Sequence, residues 1–337
     1  MRGVSARVYE SGKRLALGAS ATSVHWIGAH ALFALGDGRL LIAASGAGAF
    51  EEARSVQAHN GAILCAAAHP DSARLLTGGD DGKLNAIAPD GDIEPLFENR
   101  KWIDHVVAAA SSGLIVAGIG KEAVVFREGR EAHRFSYPSS IGGLAFDAKG
   151  RRLAATHYGG ATLRYALMAD DKGVALNWAG SHLACTLSPD ADYLITAMQE
   201  NALHGWRLPE KIDLRMDGYP AKTRSFSWDK RARWLATSGA DSAIVWPFVG
   251  KLGPQGKAPL QLIARNGLVT AVAFHPSEER LAIGYSDGAV WLATFADQGV
   301  DELDEAGEGA VSALAWSADG AQLAIGDEAG RGALITL

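Results

Sequence analysis

Short apolar runs in which every second residue is large recur along the whole chain. In the stretch 267–295, three such runs are separated by His-Pro-Ser at 275–277 and by Ser-Asp-Gly at 286–288. Alternation with a period of two predicts strands, proline ends a strand because it has no N–H group, and Asp-Gly favours a tight hairpin. The stretch therefore predicts a meander of three antiparallel strands, which cannot bury its own faces without further sheets.

Copies of this unit fill the chain. The residue that opens the turn after the first strand stands at 28, 69, 111, 147, 188, 229, 275 and 317, so the intervals run from 36 to 46 residues and cluster near 41. A repeat of this length with four short strands is typical of a β-propeller, whose four-stranded sheets are called blades. Because the apolar period is two rather than 3.6, a helical solenoid is excluded.

We therefore predict an all-β fold, a closed β-propeller of four-stranded blades that forms a single domain over residues 1–337. Eight copies of the turn favour eight blades. Seven blades remain the alternative if the residues before about 60 are irregular. The first 58 residues nevertheless contain four strand-like runs, which are Ser23–Ile27, Ala31–Leu35, Arg39–Ala43 and Glu52–Val56.

The last repeat lacks an outer strand, since the chain stops shortly after the apolar run 333–335. The segment Lys13–Leu17 precedes the first repeat and has no other predicted partner. We expect this N-terminal strand to complete the last blade, because closure in this way leaves no long sheet edge unpaired.

Composition narrows the function classes. Of 337 residues, 48% are hydrophobic and 21% are charged, and the net charge of −6 argues against a general nucleic-acid binder. The two cysteines, Cys65 and Cys185, form no CxxC pair and lie in apolar strand patterns, where we expect small core residues. The N-terminus lacks the apolar segment of a signal peptide, and no run is long enough to span a membrane. We expect a cytoplasmic, monomeric protein without a membrane partner.

The second repeat carries the most specific motif, with His59 placed 11 residues before the turn proline Pro70 and Asp81 placed 11 residues after it. This spacing resembles WD-repeat propellers. The closing Trp-Asp pair of that family is missing throughout, since Trp206 and Trp246 are followed by Arg and Pro. The chain thus resembles a degenerate WD-repeat protein, and its Ala- and Arg-rich composition suggests the bacterial type.

The resemblance implies a non-enzymatic scaffold that presents one loop face of the propeller to a protein partner of unknown identity. The position that the family gives to His holds aromatic residues or Arg in other repeats, and these types dominate protein interfaces. We therefore predict a partner-binding set on this face, with the alternative that the large side chains merely pack between neighbouring blades. The set comprises Trp102, Tyr137, Tyr158, Trp178, Glu200, Tyr219, Arg265 and Tyr285.

Signals for chemistry are weak. His182 stands on a first strand where other repeats have Ile or Val, so it is a candidate for a site in the central channel, although a hydrogen-bonded core histidine is the alternative. No phosphate-binding loop, nucleophile elbow or zinc-type spacing occurs. We predict no catalytic residue, metal or cofactor. A propeller enzyme, or a binder of a small ligand or metal in the channel, is the alternative function.

Carboxylates occupy two further patterns. Asp81, Asp241 and Asp287 follow second strands, where buried carboxylates are expected to accept backbone N–H bonds and stabilise the turn. The acidic run 301–305 is expected to form a solvated outer strand or its loop, or alternatively a contact patch for a basic partner.

Overall fold

The computed structural model of the chain describes residues 12–45, 53–250, 252–295 and 299–337. Within these ranges all regular secondary structure is β-strand. Most strands have four to seven residues, in agreement with the alternating pattern of the sequence. Glu52, with which one predicted strand begins, lies outside the described residues.

The strands are, in chain order, β1 Gly12–Ala16, β2 Ala21–Ile27, β3 His30–Leu35, β4 Arg39–Ala44, β5 Arg54–Gln57, β6 Ile63–Ala68, β7 Leu75–Gly79, β8 Lys83–Ile87, β9 Ile93–Glu98, β10 His105–Ala109, β11 Leu114–Ile119, β12 Glu122–Arg127, β13 Arg130–Ser136, β14 Gly143–Phe146 and β15 Arg152–Tyr165. They continue with β16 Val174–Leu187, β17 Tyr193–Met198, β18 Leu203–Arg207, β19 Ile212–Met216, β20 Phe226–Trp228, β21 Trp234–Thr237, β22 Ala243–Pro247, β23 Leu260–Leu262, β24 Val269–Phe274, β25 Arg280–Tyr285, β26 Val290–Thr294, β27 Gly299–Asp304, β28 Val311–Trp316, β29 Gln322–Asp327 and β30 Arg331–Thr336.

These strands form seven sheets in which neighbouring strands follow one another in sequence, apart from β1. Six sheets have four strands each, and one sheet has six, in the order β14-β15-β16-β17-β18-β19. The fold is thus a β-propeller of four-stranded blades. The seven sheets agree with the alternative prediction of seven blades and not with the eight blades that the eight turns favoured.

The difference in number arises in the six-stranded sheet, where the fourth and fifth repeats share strands. β15 and β16 have 14 residues each, more than twice the length of their neighbours. The pairing register shifts between Tyr158 and Gly160, where β15 pairs with β16, and between His182 and Ala184, where β16 pairs with β17. Each long strand therefore passes without a break from the positions of one strand to those of the next.

The chain divides into two compact units. Unit 1 comprises residues 1–26 and 218–337, and unit 2 comprises residues 27–217. In unit 1, one hydrophobic cluster gathers Val272, Phe274 and Ile283, and a second gathers Leu292, Val311 and Leu323. In unit 2, separate clusters form between successive sheets, one around Val116 and Leu153, another around Leu84 and Val124.

The N-terminal strand lies in unit 1 beside the last strand of the chain. β1 pairs antiparallel with β30, from Gly12 opposite Ile335 to Ala16 opposite Arg331, and is the outer strand of the sheet β1-β30-β29-β28. The Arg14 guanidinium on β1 forms an ion pair with the Asp304 carboxylate on β27. Asp304 is buried, so the expectation of a fully solvated acidic run at 301–305 is wrong at this position.

Candidate functional site

His59 lies in the loop that leads into β6 and is hydrogen-bonded on both ring nitrogens. Its Nδ1 is 2.9 Å from Oδ1 of Asp81, and its Nε2 is 2.8 Å from the hydroxyl of Thr77. Asp81 also accepts hydrogen bonds from the backbone N–H groups of Asn60 and Lys83. Hydrogen bonds to His59 and to the backbone counteract partial burial and lower the pKa of Asp81. The buried ring thus fastens the loop to the turn after β7.

Arg265 has the same place in the seventh repeat. Its Nη2 lies 3.3 Å from Oδ2 of Asp287, and its guanidinium stacks on the rings of Tyr285 and Trp291 at 5.3 and 5.0 Å from their centroids. A planar cation over two aromatic rings contributes both packing and electrostatic attraction. Arg265 is half-buried by these contacts, which bind it to its own repeat.

Tyr219 replaces His in the sixth repeat and forms a chain of hydrogen bonds. The indole Nε1–H of Trp246 donates to the Tyr219 oxygen at 2.7 Å, and the Tyr219 hydroxyl is 2.7 Å from the hydroxyl of Thr237. Thr237 in turn donates to the carbonyl of Ile244. Burial raises the pKa of Tyr219 to about 12. Tyr219 therefore joins β21 and β22 to the loop before β20.

Three members of the predicted partner-binding set are buried. Tyr137, Tyr219 and Tyr285 are 4%, 8% and 0% exposed. The hydroxyl of Tyr285 donates to the carbonyl of Ile263, and the ring of Tyr137 receives the guanidinium of Arg164 at 5.5 Å. The prediction that these three side chains present a surface to a partner is wrong. The alternative interpretation was packing between neighbouring blades, and these three buried rings agree with it. A large ring fills the space that a hydrogen-bonded histidine and its partners would occupy.

His182, the channel candidate, is 1% exposed and belongs to a cluster of rings. Its Nε2 is 3.1 Å from the carbonyl of Trp178, and its Nδ1 is 2.8 Å from the hydroxyl of Thr196. Burial lowers the pKa of His182, which favours the neutral ring. Both ring nitrogens are used within unit 2, so the alternative of a hydrogen-bonded core histidine describes this residue, and a channel site at His182 is wrong.

Trp178 covers the same cluster from the outside. Its indole stacks on His204 with the ring centroids 3.9 Å apart, and His204 meets Trp206 edge to face at 4.6 Å. Nε2 of His204 lies 3.1 Å from Oδ1 of Asp213, while Nδ1 of this ring is buried and has no hydrogen-bond partner among the described residues. Burial, the main effect, lowers the pKa of His204 to about 4. Trp178 is half-buried and keeps one edge in solvent.

Trp102, Tyr158 and Glu200 are exposed in unit 2, as predicted for an interaction surface. Trp102 is 61% exposed in the loop before β10, and Tyr158 is 70% exposed at the register shift of β15. Tyr158 pairs with Ser181, whose carbonyl accepts the N–H of Gln199 next to Glu200. Tyr158 and Glu200 therefore lie at one end of the six-stranded sheet. Nothing in the sequence distinguishes these exposed members from the buried ones.

The turn residues follow the predictions in part. His275 accepts the N–H groups of Ser277 and Glu278 through Nδ1 and thereby caps its turn. Asp287 accepts the N–H of Ala289, whereas Asp241 is exposed and accepts a hydrogen bond from the Ser242 hydroxyl. The expected burial of these aspartates is wrong, since they lie at the open ends of the sheets.

Little in the described ranges resembles a metal or redox centre. No group of three or more His, Cys, Asp or Glu side chains there has the arrangement of a metal site. Burial raises the pKa of both Cys65 and Cys185 to about 12, so their thiols are poor nucleophiles. Across the same ranges, no helix has the length and apolar character that crossing a bilayer requires.

Thr77, Thr196 and Thr237 are structural residues that the sequence analysis missed. Each is completely buried on a second strand and hydrogen-bonded to the ring that stands in the histidine position or beside it. In each of these three repeats the threonine stands eight residues after the residue that opens the turn, which was the available signal, but a hydroxyl on an apolar strand is usually assigned to solvent.

Comparison with known proteins agrees with this geometry. The family profile "WD domain, G-beta repeat" matches residues 50–85 and 259–292. No curated protein matches the chain. Among solved structures, the computationally designed Ika8 protein superposes with a TM-score of 0.76 at 15% identity, covering 99% of this chain and 100% of that one.

A chain of the mitotic checkpoint complex superposes with a TM-score of 0.65 at 13% identity, covering 78% of this chain and 86% of that one. Identities this low show the fold alone. The matched repeats contain both His59–Asp81 and Arg265–Asp287, with His or Arg joined to Asp in one arrangement. The chain is thus a β-propeller in which two repeats match the WD-repeat family.

Proposed function

We propose that this protein is a non-enzymatic scaffold which binds a protein partner through loop residues of unit 2. Proteins of the WD-repeat family generally act as interaction modules. The observation that carries the proposal is the exposure of two large aromatic side chains, Trp102 in the loop before β10 and Tyr158 at the register shift of β15. Aromatic rings in contact with water are costly to maintain and are enriched in interface hot spots.

Trp178 and Glu200 complete the proposed contact residues of unit 2, whereas Arg265, also predicted to bind a partner, belongs to unit 1 and is considered by itself. Glu200 is exposed and presents a carboxylate beside Tyr158, whereas Trp178 and Arg265 are half-buried. Trp178 contributes only an edge, because its face is stacked on His204. Arg265 likewise contributes only an edge, because its guanidinium is stacked on Tyr285 and Trp291. Trp102 and Tyr158 are therefore the residues expected to supply most of the binding free energy.

The test is affinity capture from the native cell with the double variant Trp102→Ala/Tyr158→Ala. We expect partners captured by the wild-type protein to be lost, because hot-spot aromatics typically contribute about 2 kcal/mol or more each. The variant Leu252→Ala is the matched control, since Leu252 is equally exposed, at 61%, in unit 1. The control should keep the partners, and full retention of the partners by the double variant would contradict the proposal.

We also propose that residues 1–337 act as one cytoplasmic, monomeric domain of eight repeats, two of which share the six-stranded sheet. Two observations support this view. β15 and β16 each run through the positions of two ordinary strands, and the boundary between the two units falls inside β2, between residues 26 and 27. A single strand that is shared between two parts of the chain favours cooperative folding of those parts.

A further inference from the structure

Tyr165 stands between two shallow cavities at the end of β15. One cavity, of about 270 Å³, has an apolar floor of Leu163, Leu176 and Leu208. The other, also about 270 Å³, lies beside the turns that contain Asp147 and Asp190. Tyr165 and Arg152 line both cavities, so the two are continuous. We call this surface of unit 2 the Tyr165 groove.

Exposed apolar side chains border the groove. Tyr165 itself is exposed, as are Leu167 and Met168 in the connection from β15 to β16. Val174, at the start of β16, lines the apolar cavity, and Ile212 follows the lining residue Lys211. Large hydrophobic residues concentrated in one region, rather than scattered singly, are typical of an interaction site.

The charges around the groove are unbalanced. Lys149 and Arg151 line one cavity and Lys172 and Lys211 line the other; all four are exposed, and none forms an ion pair with another of the described residues. The groove therefore presents four cations that have no ion-pair partner in the described ranges, on a chain whose net charge is −6.

The carboxylates in the groove are already occupied by their own turns. Asp147 accepts the N–H groups of Arg151 and Arg152, and Asp171 accepts those of Tyr165 and Gly173. Asp190 accepts the Ser188 hydroxyl. These carboxylates keep their negative charge, but Arg152 and Arg164 also line the cavities, so six cations stand against three carboxylates and the lining as a whole is positive.

We propose that the Tyr165 groove binds an acidic peptide segment of a partner protein, with one bulky apolar side chain of that segment on the leucine floor. The apolar floor supplies affinity by burying surface, and the cations select carboxylates in the flanking positions. This site shares no residue with the contact set around Trp102 and Tyr158, so the two proposals can fail independently.

The experiment begins with selection of a phage-displayed random peptide library on the purified full chain. We expect enrichment of sequences that combine Asp and Glu with a Leu or an aromatic residue. One enriched peptide, synthesised with a fluorescent label, is then titrated by fluorescence anisotropy against the wild-type protein and its variants. The affinity is expected to fall as salt is raised, because exposed charges are screened.

The double variant Lys172→Glu/Lys211→Glu is expected to weaken binding at least about tenfold, and Tyr165→Ser by a comparable factor. Lys230→Glu and Leu252→Ser are the matched controls, since they change an exposed lysine and an exposed leucine of unit 1 and should bind as the wild type does. Unchanged melting temperatures would verify that all variants fold.

Four results would overturn the proposal. One is enrichment of basic or uncharged peptides; another is equal affinity of the wild-type protein and the double variant. The third is self-association of the chain that the Tyr165→Ser variant abolishes, since the occupant would then be a second copy of this protein. Binding of the chain to anionic phospholipid vesicles, lost in the lysine variant and without any peptide enrichment, would likewise replace the peptide by a membrane.

Discussion

Arg265 and Asp287 are ion-paired at 3.3 Å and stand 22 positions apart, the same separation as the hydrogen-bonded pair His59 and Asp81. The same tether between loop and turn is thus built from different chemistry in two repeats. In the second repeat the imidazole ring of His59 and a buried threonine hydroxyl complete it. In the seventh repeat, two aromatic rings around the guanidinium take the place of that hydroxyl.

Removal of the Arg265 side chain is expected to destabilise the protein. Arg265→Ala loses an ion pair and two cation–π contacts, and we expect the free energy of unfolding to fall by about 1–2 kcal/mol. Arg265→Lys should lose most of this, because an ammonium group does not stack on Tyr285 and Trp291 as a planar guanidinium does. Denaturant unfolding measures the change. Arg224→Ala, an exposed arginine of unit 1, is the control, and an equal loss in both variants would refute the tether.

The hydroxyl of Tyr219 is expected to stabilise the sixth repeat. Tyr219→Phe leaves the buried Thr237 hydroxyl and Trp246 N–H each short of a partner, which should cost about 1–3 kcal/mol. Tyr158→Phe removes the same atom from an exposed ring and should change the stability by less than about 0.5 kcal/mol. The difference between the two midpoints of denaturant unfolding is the measurement; equal midpoints would contradict the role of the hydroxyl.

The ion pair between Arg14 and Asp304 is expected to hold the N-terminal strand. The Asp304 side chain is 4% exposed, so Arg14→Ala leaves a buried carboxylate without its cation and should cost about 1–3 kcal/mol. The double variant Arg14→Leu/Asp304→Asn should recover part of the loss, because no charge then remains buried. Thermal unfolding distinguishes these cases. If Arg14→Ala melts at the wild-type temperature, the pair does not contribute to stability.

Acid is expected to destabilise the protein through His204. Its pKa in the folded chain is about 4, below the ordinary value, so between about pH 6.5 and 4 the unfolded chain binds a proton that the folded chain does not. The stabilisation is fully present above this range and declines as the pH falls through it, by at most about 3 kcal/mol.

The measurement is the melting temperature between pH 7 and 5, a range in which ordinary carboxylates remain ionised. In His204→Phe the ring still stacks on Trp178 but cannot be protonated, so the slope of melting temperature against pH should be shallower than in the wild type. Identical slopes would assign the acid sensitivity to other groups, of which His25, with its pKa also lowered to about 4 by burial, is the first to consider.

The proposal of a single domain predicts one cooperative unfolding transition. The boundary between the units cuts β2. If unit 1 unfolded alone, Ile27, which lies in an apolar cluster of unit 2, would lose the remainder of its strand. We expect tryptophan fluorescence and far-ultraviolet circular dichroism to give coincident denaturant curves. Two separated transitions would instead show that the units unfold independently.

Much of the fold could be predicted from the repeat alone. The predicted strands Ser23–Ile27, Ala31–Leu35 and Arg39–Ala43 correspond to β2, β3 and β4, whose ends differ from the prediction by one or two residues. The reason is that both signals are local. Prolines, glycines and Asp-Gly turns mark where strands end, and apolar residues that alternate with a period of two mark the strands themselves. The merged strands β15 and β16 escaped prediction, because nothing in 157–160 or 178–184 distinguishes a sharp turn from a bulge through which the strand continues.

The candidate site was less predictable. An aromatic residue in the histidine position fits two environments equally well, since Tyr219 and Trp102 differ little in their sequence surroundings. Whether the ring turns inward depends on partners distant in sequence, such as Trp246 and Thr237 for Tyr219. The lysines and leucines of the Tyr165 groove come from four separate segments of the chain, so no local pattern could have gathered them.

The sequence by itself determined the class of this protein: a β-propeller of short antiparallel strands with the turns of WD repeats, because period and turn chemistry are local properties. Only the tertiary structure decided which polar and aromatic side chains are fastened inside and which face solvent. That choice depends on whether a buried hydrogen-bond or stacking partner lies within reach, and such partners come together only when strands far apart in the chain pack side by side.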